Sequence, residues 1–145
     1  MKVVIVGDGK VGGTIARQLS GEGHDIIVID NNTSVLTNAS NTMDIMSVEG
    51  NGASILVQKR AGVPEADLLI AATSADEVNM LACLLGKKLG VPHTIARVRN
   101  PEYYEQINEL KEELGLSMTV NPEFAAATEI LRLLRFPSAL KIEVF

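Results

Sequence analysis

Val3-Val4-Ile5-Val6-Gly7-Asp8-Gly9-Lys10-Val11-Gly12 decides the fold. Four β-branched residues in an unbroken run predict a strand covered on both faces, because a parallel strand buried by crossover helices has no polar side to alternate with. The run stops at a GxGxxG, Gly7 to Gly12, and Val11, Ile15, Ala16 and Leu19 then follow at helical spacing. In this strand-to-helix setting Gly7 permits the sharp turn, Gly9 lets a pyrophosphate approach the backbone, and Gly12 lets the helix lie close on the sheet. The free N–H groups and the helix dipole then attract phosphate. Gly13 adds a second small residue at the same crossing. Lys10, inside the loop, reads as a phosphate partner or as a solvated surface cation. A glycine-rich turn without a ligand is the alternative for the whole motif.

The same alternation continues along the chain. Strands are expected at Val3–Val6, Asp25–Ile29, Asp44–Val48, Leu68–Ala72, Thr94–Val98 and Met118–Val120, with helical stretches between them. Ser74-Ala75-Asp76-Glu77 has the form of a capping box, followed by Val78, Leu81, Ala82, Leu85 and Leu89 and stopped by Gly90. Asn100-Pro101-Glu102 and Asn121-Pro122-Glu123 each offer an N-cap amide, a proline at the first helical position and an acid near the positive helix end. The residues downstream of the two do not match, so they share capping chemistry and are not a repeat. Leu140 to Phe145 alternates like a strand and reads as a further element begun. The sum is an α/β chain, a doubly wound parallel sheet of six strands, in which ligands bind at the carboxyl ends of the strands where strand order reverses.

Composition sets the outer bounds. With 145 residues, 46 % of them apolar, the chain suits one domain with its own core. A net charge of −5 and a pI near 5.0 give no basic footprint for nucleic acid or anionic lipid. A single cysteine excludes a disulfide framework, and no apolar run approaches the roughly 20 residues of a membrane span. Met1-Lys2-Val3 enters a strand directly, with no signal-peptide pattern, so a cytoplasmic chain is expected. With no Trp, two Tyr and three Phe, stacking surfaces for bases are scarce.

Other candidate site residues follow from the strand ends. Asp30 closes the second strand about 20 residues past the glycines, where a carboxylate accepts hydrogen bonds from ribose hydroxyls and repels a 2′-phosphate. Asn31-Asn32 follow with no arginine to receive such a phosphate, so NAD(H) or an adenine nucleotide is expected and NADP(H) is not. Glu49-Gly50-Asn51-Gly52 ends the third strand, either as bare backbone beneath an adenine or as an ordinary turn. Thr73 and Ser74 face the glycine loop across the switch point, with Ser74 also a helix cap. Arg97 and Arg99, two residues apart at the end of the fifth strand, share a face and are candidate phosphate or carboxylate partners, or solvated cations. Cys83 sits among core positions of a helix and reads as a small hydrophobe. His24, in a turn, and His93, ahead of a strand, have no ligand-spaced partner, so no metal site is expected. The helix from Pro122 to about Arg135 is apolar over more than one stripe and is expected to bury a second face, against a second copy or a further domain.

Taken together these blocks resemble the N-terminal, nucleotide-binding lobe of the TrkA/KTN/RCK proteins, cytosolic regulators of potassium transporters and channels. The resemblance rests on Val4 to Gly12, Val28-Ile29-Asp30, Val48-Glu49-Gly50, Ala72 to Met80, Ala96 to Tyr103 and Asn121-Pro122-Glu123, and covers essentially the whole chain. It implies a Rossmann-like lobe over residues 1–120, with 121–145 forming a crossover and dimerisation helix and the start of a C-terminal lobe. It implies NAD(H), or ATP, ADP or AMP, held by Gly7 to Val11, Asp30, Thr73, Ser74 and Arg97. It further implies a homodimer or larger ring formed through the 122–135 helix, a membrane-embedded potassium transporter subunit as partner, and gating by nucleotide exchange without catalysis. An NAD-dependent oxidoreductase, or its cofactor-binding half, is the alternative, since the glycines and Asp30 serve it equally. Against that alternative, no acid or base stands where a nicotinamide would lie.

Overall fold

The structure, a computed structural model, describes residues 1–7, 9–32 and 45–135. Along the chain run β1 (Lys2–Val6), α1 (Lys10–Gly21), β2 (Asp25–Asp30), β3 (Met46–Glu49) and α2 (Ile55–Arg60), then a 3₁₀ turn (Val63–Glu65). There follow β4 (Leu68–Ala71), α3 (Asp76–Lys88), β5 (His93–Arg97), α4 (Glu102–Leu114), β6 (Met118–Val120) and α5 (Pro122–Arg135). All neighbouring strands pair in parallel, in the order β3-β2-β1-β4-β5-β6. Strand order therefore reverses between β1 and β4. All six expected strands are present, the third beginning at Met46 where Asp44 was expected. The fifth takes in His93 as its first residue. Asp44 and the 140–145 tail lie outside the described residues.

Alternation along β1 and β2 divides the core between the two sheet faces. Val3, Ile5, Ile26 and Val28 pack with Ala16 of α1, while Val4, Val6, Ile27 and Ile29 join Ala82 and Cys83 of α3 and Ile107 of α4. Gly12 decides how closely α1 can lie, since a Cβ there would stand 1.9 Å from the Gly7 carbonyl oxygen.

Three helices depart from expectation at their ends or faces. Ala75, not Ser74, precedes α3, and no side chain caps it. The Glu77 carboxylate that a capping box would turn back to the cap instead accepts from the Tyr103 hydroxyl, and the Thr73 hydroxyl oxygen accepts from Ala75 N at 3.2 Å. That contact holds the Glu77 carboxyl below and the Tyr103 phenol above their ordinary ranges. The buried side of α3 is Asp76, Asn79, Ala82, Cys83 and Gly86, whereas Leu81 is exposed. Before α4, Asn100 stands one residue further out than expected, with Pro101 at the cap, yet its side chain still accepts from Glu102 N at 3.0 Å. Asn121 caps α5 as read, accepting from Phe124 N at 3.0 Å. However, α5 buries none of its residues, so the one face expected against its own sheet is not covered there.

Candidate functional site

At the carboxyl ends of β1, β2 and β4 a cleft of about 450 Å³ opens across the switch point. Gly7 makes its floor turn possible: its φ of +96° suits a residue without a Cβ, and its N–H continues the sheet by donating to Ile29 O at 2.8 Å. Gly9 caps α1 with no side-chain bond, and a Cβ placed there would meet nothing within 4 Å. The backbone at Gly9, Lys10 and Val11 therefore faces open cleft at the positive end of a helix. Gly12 lies behind them as the close-packing glycine. Asp8 lies outside the described residues.

The opposite walls come from the neighbouring strand ends. Asp30 and Asn31 line one side, and the Asp30 carboxylate is oriented by Asn32 N, which donates to Oδ1 at 2.8 Å. Gly50, Asn51 and Gly52 form the next stretch. Gly52 is buried so tightly on Val6 that a Cβ would fall 2.1 Å from Val6 Cγ1, and Gly50 N donates to Asp30 O at 2.9 Å. Behind this wall the fully buried Gln58 amide donates to Gly52 O at 2.8 Å and to Ala82 O at 2.9 Å.

Thr73, Ser74 and Arg97 line the far side. Thr73 and Arg97 are held by Asn79, which is wholly buried. Its Oδ1 accepts from Thr73 N at 2.9 Å and from the Thr73 hydroxyl at 2.7 Å, while its Nδ2 donates to Thr73 O at 3.0 Å and Arg97 O at 2.8 Å. Asp76 ties down the chain after β5 in the same way, accepting from Arg99 N at 3.0 Å and Asn100 N at 2.8 Å. The cleft thus gathers Gly7, Gly9, Lys10, Val11, Asp30, Asn31, Gly50, Asn51, Thr73, Ser74 and Arg97, while Gly12 supports it from behind and Glu49 and Arg99 lie outside it. Arg99 is separated from Arg97, since it lies past the strand and its guanidinium donates to Ser74 O at 2.8 Å outside the cleft.

Val6, Ile29, Ala72, Val78 and Glu123 also line the cleft without having been read as site residues, and of these only Glu123 is charged. Glu123 looks like a first-turn acid in its own helix, and only the pairing of β5 with β6 brings it to Arg97. A roomier groove of about 550 Å³ runs beside β6 between α4 and the start of α5, but its lining, including Val98, Ile107 and Phe124, carries no charged side chain to recognise a phosphate. Cys83 is buried and burial pushes its thiol up to about 12, as befits a core residue. Among the described residues no group of His, Cys, Asp and Glu could hold a metal ion, and no helix is long and apolar enough to cross a membrane.

The comparison with known families agrees with this geometry, since the TrkA-N domain matches residues 3–122. The chain belongs to the TrkA-N domain family. It is 38 % identical over 148 residues to the Trk system potassium uptake protein TrkA of Haemophilus influenzae, a match covering 100 % of this chain and 32 % of that protein. The TrkA-N domain here thus spans about a third of the length of such relatives. Among solved structures it is similar to the TrkA-N domain of the inner membrane protein ybaL from Escherichia coli, with a TM-score of 0.80, 21 % identity and coverage of 92 % of this chain and 96 % of that one. The Kef CTD of Shewanella denitrificans in AMP-bound form aligns with a TM-score of 0.77 at 24 % identity, over 97 % of this chain and 86 % of the other. The GsuK channel bound to NAD aligns with a TM-score of 0.68 at 22 % identity, over 82 % of this chain and 21 % of the channel. At these identities the structural likeness is one of fold.

Proposed function

We propose that this TrkA-N domain is the nucleotide-sensing part of a potassium uptake system, binding NAD(H) or an adenine nucleotide in the switch-point cleft. The carrying observation is the convergence there of a bare helix N-terminus at Gly9, a carboxylate at Asp30 and a guanidinium at Arg97. In this reading the pyrophosphate lies over Gly7, Asp8, Gly9, Lys10 and Val11, and Asp30 with Asn31 takes the adenosine ribose. The adenine lies on Gly50 and Asn51, while Thr73, Ser74 and Arg97 meet the remaining phosphate or second ribose. Similarity to a potassium uptake protein, and to structures whose ligands are AMP and NAD, supports the assignment.

The domain regulates by population shift. Two nucleotides change transport only to the extent that they bind two arrangements of the assembly with different affinity. Residues 1–120 hold the nucleotide, and α5 with the chain beyond it passes to a second copy in a homodimer or ring, seated on a membrane-embedded transporter at the cytoplasmic face. The exposed Phe124, Ile130, Leu131 and Leu134 support a partner for α5.

Calorimetric titration of the nucleotide-free chain with NADH, NAD⁺, NADPH, ATP and ADP tests the reading. Binding of NADH or ATP with NADPH excluded is expected. Asp30→Ala, by removing a charge-assisted acceptor of the ribose hydroxyls, is expected to weaken every adenosine ligand by about 10- to 100-fold. Unchanged affinity in that variant removes the ribose assignment, and turnover of a hydroxy acid or aldehyde with NAD⁺ would restore the oxidoreductase reading.

A further inference from the structure

Helix α2 is six residues long, and three of its side chains hold the segment from Glu49 to Gly52 that makes the β3 end of the cleft. Arg60 Nη2 donates to Glu49 O at 2.7 Å. Val57 backs Gly50 so closely that a Cβ there would stand 2.8 Å from Val57 Cγ2. Gln58 Nε2 donates to Gly52 O at 2.8 Å. Arg60 is exposed and Val57 makes an apolar contact, whereas Gln58 is wholly buried and also donates from Nε2 across to Ala82 O of α3 at 2.9 Å. The two acceptors fix the amide's orientation, because turned over it would set Oε1 against two carbonyl oxygens. As it stands, Oε1 is enclosed with no hydrogen-bond partner among the described residues. A buried acceptor without a donor is costly, and an unbranched apolar side chain such as methionine would fill this space without it. Stability alone is therefore a poor reason for an amide at this position.

We propose that Gln58 is a positioning residue for the nucleobase, tying Gly52 to α3 and so holding the backbone of Gly50 to Gly52 at a fixed place for a planar base to lie on. This rests on the reading of the cleft as a nucleotide site with the base at Gly50 and Asn51. Gln58 does not itself line the cleft and acts through the Gly52 carbonyl. Gly52 is pressed on Val6 at the end of β1, and Gln58 refers the same peptide to α3, the helix whose Asn79 holds Thr73 and Arg97 across the cleft. The base end of the site and its far wall are thereby set against one helix. Ribose and phosphate are met by other groups, Asp30 and the backbone from Gly9 to Val11, which Gln58 does not touch. Loss of the amide is therefore felt by the base and not by the rest of the nucleotide.

The 145-residue chain, stripped of nucleotide, is titrated as wild type and as Gln58→Met, with AMP by calorimetry and with ribose 5-phosphate by NMR. Ribose 5-phosphate carries the same ribose and phosphate without the base. Gln58→Met is expected to weaken AMP about three- to tenfold, the worth of one net hydrogen bond, and to change ribose 5-phosphate by no more than about twofold. Unchanged AMP affinity in the variant overturns the proposal. So does ribose 5-phosphate weakened as much as AMP, which would make Gln58 a merely structural residue. Where Gln58→Met fails to fold, the wild type supplies the test: the side-chain amide proton signals of Gln58 are expected to shift on saturation with AMP and to stay in place on saturation with ribose 5-phosphate. Signals that respond to neither ligand, or equally to both, overturn the proposal. Binding of neither ligand by the wild type would remove the nucleotide reading itself, a result distinct from a variant that binds AMP as well as the wild type does.

Discussion

Helices α3 and α5 are nearly equal in length, 13 and 14 residues, and invert the usual relation between hydropathy and burial. Helix α3 puts a carboxylate, Asp76, and an amide, Asn79, inside the molecule and leaves Leu81 exposed. Helix α5 carries Phe124, Ile130, Leu131 and Leu134 and buries none of them. A polar side chain goes inside where strand ends need partners: beyond β4 and β5 the backbone leaves the ladder, and Asn79 supplies the donors and acceptors that the ladder no longer does. An apolar helix face stays outside a single chain when its cover belongs to something else. In this domain, then, α3 builds the cleft wall and α5 presents an uncovered apolar face.

The largest effect tests the inside of that comparison. Asn79→Ala leaves Thr73 N, Thr73 O and Arg97 O without the partner they now have. A loss of about 3 kcal/mol is expected, an order-of-magnitude value allowing for water that enters the gap. In a chain of this size that is a fall of about 10 °C in Tm, read by calorimetry or circular dichroism. Leu81→Ala, on the exposed side of the same helix, is expected to change stability by about 0.5 kcal/mol or less. If the leucine proved the costlier of the two, hydropathy would be the better guide to α3 after all.

This inversion also marks where sequence reading stops. The sheet, its order of elements and most of the cleft were legible because they follow from local signals: the β-branched run at Val3 to Val6, glycines at 7, 9 and 12, and an acid closing β2. Each is decided within a few residues of itself. The capping box at Ser74 to Glu77 failed for the opposite reason, because Tyr103, 26 residues away, offers Glu77 a hydroxyl. Glu123 and Arg97 are likewise 26 residues apart and meet only once β6 lies beside β5. Arg97 and Arg99, two residues apart, were expected to share a face, but β5 ends at Arg97 and the alternation that would align them ends with it. For α5 the sequence disclosed an excess of apolar surface, which is a local property. It did not disclose that the chain's own sheet leaves the helix uncovered.

A smaller effect sharpens the reading of α3 through Cys83, whose thiol packs in the core with Sγ at 3.5 Å from Ile95 O. Burial raises its pKa from 9.0 to about 12. The unfolded chain then ionises this thiol first, so its contribution is fully present below about pH 9 and is lost as pH rises towards the folded value. Between pH 8 and pH 10 the wild type is expected to lose about 1 kcal/mol more than Cys83→Ala, measured as the difference between their urea midpoints at each pH. Equal losses would mean that the thiol meets solvent in the folded state and that this stretch of α3 is not core.

The smallest effect on stability belongs to α5, and its smallness is the point. Ile130 and Leu134 are 58 % and 65 % exposed and four residues apart, so they lie on one stripe of the helix. Ile130→Ser with Leu134→Ser is expected to alter the stability of the dilute chain by about 0.5 kcal/mol or less, because neither side chain leaves a core. Light scattering should register the change instead. Where the wild type gains mass with concentration through this stripe, the double variant is expected to remain at the mass of one chain. If the dilute variant instead lost about 2 kcal/mol, α5 would be docking on its own domain in solution. The contrast with α3 would then disappear, and the apolar face of α5 would be part of the core of its own chain.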